Sequence, residues 1–532
     1  MTEKQPSSPR VALSTADEVG QPGTPDWDSL GRKWWAHVQV LADAKMEGRE
    51  TGSVGMANAA AYVTEQFRVS GLQPAGVGGY RQPMEFDVTQ TDPARSSLEI
   101  VRDGKVWPIA LNEDAVIIAT SGTKETMEAE AVFVGYGLRI PEQNYDDLAG
   151  RDLNGKIAVY ILGGPKEISG TMKAHYASPY ERVKALTDVG AVGLIFIQNP
   201  LSPEAPFVRL ADTLRQPWME LRDPGPGIPL PLSLALAFNS DSAEMLFSGS
   251  GHSFQEVVAE ISAGRSAPHF PLAGKIRARV GMTRRDARCE NVVGVLPGSD
   301  PTLGHEYVVV SAHLDHIGVG KSIAGDNIFY GAMDNASGVA SLIAIAQDLH
   351  RRGARPKRSI LFLAVTGEEK MLLGSQYFVT HPTVTGPLVA NLNLDCHLPL
   401  FPLKYLEVQG IEESSLSDDV RLAGKEMGVE IHTAYEPDRV MFIRSDQYSF
   451  IKVGTPALLC SFGYVRGSTE EKLYKAWFFE RYHATKDSLD QPVDFVAAAQ
   501  FNSLFEKLVL HVANADRRPT WNPDSFFNRF VH

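Results

Sequence analysis

The sequence predicts an α/β protein: a mixed, mostly parallel central sheet flanked by helices, with a β-rich unit inserted into it. Three observations lead there. The runs at 291–296, 306–312, 359–366, 388–395 and 455–461 are dense in Val, Leu and Ile, as strands buried on both faces must be. They alternate with helical periodicity over 336–350, 415–427 and 492–513, and such alternation marks an α/β layer. The chain has 532 residues, more than one ordinary core accommodates.

Taken in order, residues 1–27 are rich in Ser, Pro, Thr and charge and read as a disordered lead-in. They lack the apolar core of a secretory leader. The chain as written is therefore expected in the cytoplasm, with a periplasmic or secreted location after leader removal as the alternative. Residues 28–128 form the first part of the main domain. Trp34, Val38, Leu41 and Met46, then Ala57, Ala60, Ala61, Val63 and Phe67, suggest two helices around the turn Gly48-Arg49-Glu50-Thr51-Gly52. Residues 129–265 read as a separate unit. A strand at 131–134 runs into Gly135-Tyr136-Gly137, further strands follow at 156–162 and 192–197, and a Pro-rich stretch holds Pro217, Pro224, Pro226, Pro229 and Pro231. Residues 266–515 complete the main domain. Its last helix starts at Pro492, a favoured first-turn residue. Residues 516–532 form a tail.

Composition excludes some functions. The net charge is −13 with dispersed acidic residues, a poor match for a phosphate backbone, so no nucleic-acid partner is expected. No run of 18 apolar residues appears, so no membrane span is expected. Cys289, Cys396 and Cys460 match no metal-binding spacing and read as small buried thiols.

The chemistry gathers at strand ends, the edge where open α/β sheets bind ligands. Ser311-Ala312-His313-Leu314-Asp315-His316 follows Val308-Val309-Val310. In extended chain His313 and Asp315 share a face, and the Asp can accept the imidazole N–H and fix its tautomer. A surface His–Asp pair would look the same. Asp334 stands before the helix at 336, where a carboxylate also serves as a cap. Thr366-Gly367-Glu368-Glu369-Lys370 ends another strand. Adjacent glutamates repel, and either a solvated turn or a cation ligand beside a proton acceptor accounts for them. Asp395 closes a fourth run, with His397 two residues on. His483 lies in a loop before the last helix, where a lone His often has no special task. Together these residues form an ordered set of nitrogen and carboxylate donors, which suits zinc without a thiolate.

In this combination the residues resemble the di-zinc aminopeptidase family that includes bacterial leucyl aminopeptidases and, more distantly, glutamate carboxypeptidase. The likeness covers roughly 34–110 and 270–515. Gly135-Tyr136-Gly137, Tyr145-Asp146-Asp147 and Gly155-Lys156 make 129–265 resemble the protease-associated domain that peptidases carry as an insertion. The resemblance implies a zinc-dependent exopeptidase fold, a peptide substrate and two zinc ions. Asp334 would bridge the ions, His313 and Asp395 would complete one site, and Glu369 and His483 the other. Glu368 would be the general base that takes a proton from a bridging water, leaving a hydroxide held between the ions, Asp315 the residue orienting His313, and Tyr482 the oxyanion partner. The Asp334–Asn335 peptide is often cis in the family. Arg444-Ser445-Asp446-Gln447-Tyr448 resembles a segment by the substrate pocket, making Arg444, Asp446 and Tyr448 candidate substrate contacts, although the family often has His where Gln447 stands. The alternatives are a carboxypeptidase or other amide hydrolase on the same site, for which Arg444 would receive the terminal carboxylate, and a non-enzymatic binding protein of the same fold.

Overall fold

The structure, a computed structural model, describes residues 25–531 apart from 169, 202–205, 225–231, 266, 324 and 436–440. Residues 1–24 of the lead-in at 1–27, and Pro226, Pro229 and Pro231 of the Pro-rich stretch, lie outside the described residues. Eleven strands and seven helices frame the site and are numbered in chain order. The strands are β1 Arg81–Arg102, β2 Thr126–Val134, β3 Ile157–Ile161, β4 Gly193–Ile197, β5 Leu234–Phe238, β6 His269–Leu296, β7 Tyr307–His313, β8 Ser359–Val365, β9 Leu388–Asn393, β10 Tyr405–Gln409 and β11 Ala457–Gly463. The helices are α1 Trp27–Leu41, α2 Val54–Val69, α3 Phe207–Leu214, α4 Ser337–Arg351, α5 Leu416–Met427, α6 Thr469–Glu480 and α7 Phe495–Asn514.

One half of the sheet runs β10-β11-β9-β7-β8-β6. Strands β11, β9, β7 and β8 are parallel, and β10 and β6 flank them antiparallel. The apolar runs explain this arrangement: every residue of β8 is buried, and in β7 all but Tyr307 are. Helices α1, α4 and α7 cover one face. Trp34 is fully buried there, and its indole N–H donates to Ser337 O at 3.1 Å, with Ser341 Oγ at 3.0 Å. Helix α7 starts at Phe495 and not at Pro492, because the Asp494 carboxylate accepts from Ala497 N at 2.9 Å and caps it there. Among the described residues no helix is long and apolar enough to cross a membrane.

The second half of the sheet continues β2-β3-β4-β5, all parallel. It has a hydrophobic core of its own, which reaches from Leu98 to Val280 and includes Phe133, Val159, Ile195 and Phe247. Two long strands join the halves. β1 and β6 pair antiparallel from Arg81↔Val292 to Val101↔Lys275, with a register shift between Arg279 and Gly281. Only 291–296 of this ribbon is expected from apolar runs. The rest is half-exposed, with Met84, Phe86 and Val88 buried between exposed Glu85 and Asp87, so it carries alternation and charge where a buried strand carries a continuous apolar run. The C-terminal residues pack down as well: Trp521 and Phe527 are buried against Phe442 and Tyr448.

Candidate metal centre

The registers His313↔Val365 and Ser311↔Asn393 bring the carboxyl ends of β7, β8 and β9 level with one another. Residues just beyond them leave the sheet at one edge: His313 and Asp315 from β7, Glu368 and Glu369 from β8, Asp395 from β9. His313 Nε2 lies 3.3 Å from both Asp334 Oδ1 and Asp395 Oδ1. His483 Nε2 lies 3.2 Å from Asp334 Oδ2 and 3.4 Å from Glu369 Oε2. Asp334 thus stands between two donor groups and turns one oxygen toward each.

Asp334 is held by its neighbours on both sides. The Asp487 carboxylate accepts from Met333 N and Asp334 N, each at 3.0 Å. The Asp334–Asn335 peptide is cis. Asn335 donates to Leu394 O at 2.8 Å and accepts from Gly338 N at 3.0 Å, which ties the start of α4 to the end of β9.

The Glu-Glu turn hangs on Asp315. This fully buried carboxylate accepts from Glu368 N at 3.2 Å, Glu369 N at 3.3 Å and Thr51 Oγ1 at 3.0 Å. His313 Nδ1 is 3.1 Å from the Asp315 main-chain carbonyl and 4.0 Å from its carboxylate. The carbonyl is therefore the nearer acceptor, and the carboxylate mainly secures the glutamate turn.

The turn at 48–52 supplies a cation beneath the cluster. Arg49 is fully buried and donates to Leu41 O, Leu314 O, Tyr330 O and Gly331 O between 2.6 and 2.9 Å. Burial lowers its pKa to about 10, partly offset by Asp487 and Asp334. Gly48 makes the turn feasible: its φ is +63°, and a Cβ would stand 2.3 Å from Phe329 O.

The two glutamates sit in different fields. Burial raises the Glu368 pKa well above the carboxylate range, with Glu369, Asp395 and Asp446 adding to it against the pull of His313. Burial acts on Glu369 in the same sense, but His483 and the bond from His316 outweigh it and leave it below its usual range. For His313 burial opposes the charged form, yet Asp395 and Glu368 hold the imidazole well above its ordinary value. Carboxyls whose environments push them apart mark separate acid–base tasks.

The donors fit a metal ion. His313, Asp334 and Asp395 form one compact group, and His316, Asp334 and Glu369 another. Asp334 Oδ2 is buried and makes no hydrogen bond, although His483 is near; a buried carboxylate oxygen left this way is costly unless a cation answers it. The nearby Cys396 thiol is pushed well above its usual pKa by burial and by Asp334, and it belongs to neither of these two donor groups.

All five expected ligands are brought together, along with Glu368 and Asp315. Tyr482 stacks on His483 with ring centroids 3.9 Å apart, and burial and Asp334 hold its hydroxyl well above its usual pKa. Arg444 is exposed, close enough for its charge to oppose that shift in Tyr482. Asp446 is fully buried behind Glu368, its pKa raised by burial to about 7. Tyr448 is buried too, its hydroxyl 2.7 Å from His175 Nδ1 of the second half. Gln447 donates to Phe442 O at 2.9 Å and accepts from Asn393 at 2.8 Å, which is a bracing role. A pocket lies beside Asp395 and Cys396, walled by Tyr435, Tyr464, Tyr474 and Phe478.

Sequence reasoning missed His316, whose Nδ1 lies 2.8 Å from Glu369 Oε1. The signal was its place in His-Leu-Asp-His, but a strand's two-residue rule does not reach it because β7 ends at His313. It also missed the tasks of Arg49 and Asp487, which act on main-chain atoms far away in the sequence.

Residues 291–509 match the model of peptidase family M28. A probable glutamate carboxypeptidase of Arabidopsis thaliana is 29% identical over 229 residues, 39% of this chain and 30% of that protein. A probable glutamate carboxypeptidase of Zea mays is 26% identical over 424 residues, 74% of this chain and 55% of that protein. The chain thus spans from under a third to about half the length of these curated relatives. Among solved structures, an aminopeptidase from Aneurinibacillus sp. strain AM-1 superposes with a TM-score of 0.56 at 19% identity, covering 93% of this chain and 97% of that one. A zinc aminopeptidase from Bacillus subtilis gives 0.50 at 17% identity, covering 92% and 96%.

Proposed function

We propose that the chain, whose residues 291–509 match the model of peptidase family M28, is a member of that family and a zinc-dependent aminopeptidase with two metal ions in its centre. The observation that carries this is the pair of donor groups sharing Asp334, with a protonatable Glu368 beside them. His313 and Asp395 would hold one ion, Glu369 and His483 the other, and Asp334 would face both. When bound, the ions would lower the pKa of a water and polarise the scissile carbonyl. Glu368 takes the water's proton, for which its raised pKa suits it, and returns it to the leaving amine. Asp315 keeps that carboxylate in place through the main chain. The neutral Tyr482 hydroxyl donates to the oxygen on which charge develops. The acidic donors favour a substrate's free ammonium, which supports exopeptidase action at the N-terminus, and the pocket beside Asp395 would receive the terminal side chain.

The segment 129–265 reads as a protease-associated domain. Its Gly-Tyr-Gly turn is organised by Asp147, which accepts from Tyr136 N and Leu138 N at 3.1 Å and from the Tyr145 hydroxyl at 2.7 Å.

One observation favours a second reading. Arg444 is exposed near Tyr482 and His483, where it could meet a terminal carboxylate as in a carboxypeptidase. Paired peptides, one acetylated at the N-terminus and one amidated at the C-terminus, separate the readings: an aminopeptidase spares the first and cleaves the second. In Glu368→Gln, kcat should fall by roughly 10²–10⁴ with zinc content unchanged. Near-normal turnover by that variant would remove Glu368 from the mechanism.

A further inference from the structure

His483 reaches the metal centre from an unusual backbone. Its φ is +51°, a left-handed conformation that a non-glycine residue keeps only where its surroundings over-determine it. Helix α6 ends just before it, and the last carbonyls of a helix have no partner within the helix. Such ends are ordinarily closed by a nearby glycine or a local cation.

In this chain the cation comes from the inserted half. Arg209 stands on α3, 270 positions from Phe479. One guanidinium nitrogen donates to Phe479 O at 2.6 Å. The other donates to Phe478 O at 3.3 Å and to Tyr482 O at 3.1 Å. The third acceptor matters most, because Tyr482 O belongs to the peptide that joins Tyr482 to His483. Fixing that peptide fixes the direction from which the imidazole approaches Asp334 and Glu369. A planar guanidinium reaches the three carbonyls from two nitrogens held in a fixed fork, whereas an ammonium presents its donors from a single nitrogen on a flexible stem.

We propose that Arg209 is a positioning residue of the metal centre, through which the inserted unit sets the peptide plane that presents His483. The inserted unit is then part of the catalytic apparatus as well as a neighbour of it. The effect on turnover rests on the aminopeptidase reading; the effect on metal affinity rests on His483 as a zinc ligand, beside Asp334 and Glu369.

The test titrates Zn²⁺ into full-length, metal-free wild type, Arg209→Ala, Arg209→Lys and, as a control, Val208→Ala, whose side chain is 64% exposed on the same helix. Arg209→Ala should weaken one zinc-binding step by about 10–100-fold, the usual effect of losing a residue that supports a ligand. Its kcat should fall by a similar factor with KM within about twofold. Added guanidinium ion should restore part of both, Arg209→Lys should fall between Arg209→Ala and wild type, and Val208→Ala should match wild type. The proposal fails if Arg209→Ala binds zinc as wild type does. It also fails if the loss tracks a lowered melting temperature that neither guanidinium nor Arg209→Lys relieves. Should Arg209→Ala not fold, Arg209→Lys supplies the same titration, and wild-type affinity there overturns the proposal. A wild type that binds zinc tightly yet cleaves no peptide sinks the aminopeptidase reading, while the affinity comparison still decides the role of Arg209.

Discussion

His397 follows Asp395 by two positions, and a strand continued through both would turn it to the same face. Cys396 and Leu398 instead adopt φ of +47° and +51°, which takes the chain out of the strand and drives the imidazole into the core. It stacks on Phe501 with centroids 4.4 Å apart, and neither ring nitrogen has a hydrogen bond. Burial lowers its pKa from 6.5 to about 3. The unfolded chain therefore binds the proton first on acidification. Stability is full above pH 6.5 and is lost as the pH falls from there toward 3, by at most about 1.4 kcal/mol per pH unit. His397→Phe removes that contribution, so its unfolding free energy should depend less on pH between 6.5 and 4 than wild type's. Parallel denaturant curves for the two proteins would refute this. Local pattern could not show the burial, because two left-handed residues set the side chain's direction.

At the scale of elements, the segment before α4 is held by a residue of another loop. Asp487 accepts the N–H groups of Met333 and Asp334, and those donors would be buried and unpaired without it. Asp487→Ala should lower the unfolding free energy by roughly 2–4 kcal/mol, since each orphaned donor costs about 1–3. Asp487→Asn keeps an acceptor and should recover much of the loss. Thermal melts of the two variants check this, and an Asp487→Ala protein as stable as wild type would contradict it. The parallel strands were readable as elements because burial on both faces leaves continuous apolar runs. The β1–β6 ribbon was not, since one side meets solvent and its strands are also paired through ions, as Arg288 with Glu85 at 2.8 Å.

Over the whole molecule, two hydrophobic cores are joined by the ribbon and by side-chain contacts. His175 meets Tyr448, Arg209 meets the end of α6, and Trp521 and Phe527 from the C-terminal residues pack in the cluster that holds Ala174. Asp315, Asp334 and Asp487 are buried, and Glu369 and Asp395 are half-buried, within one region at the sheet edge. A bound cation stabilises such a region by mass action, by about 4 kcal/mol at a free concentration ~1,000 times Kd. A chelator should therefore lower the melting temperature of the intact protein, and added zinc should restore it. A melting temperature indifferent to both would argue against a metal centre.

The sequence alone determined the α/β class and the strands β7, β8, β9 and β11, and it offered His313, Asp334, Glu369, Asp395 and His483 as candidate donors through their order and the family resemblance. The strands are local matters, because apolar continuity marks a buried strand. Only the tertiary structure decided how the donors are supported. Arg49 beneath the cluster, Asp487 on the Asp334 segment, His316 beside Glu369 and Arg209 behind His483 all act on partners that folding brings close. Three of the four bind main-chain atoms, whose positions no side-chain pattern records.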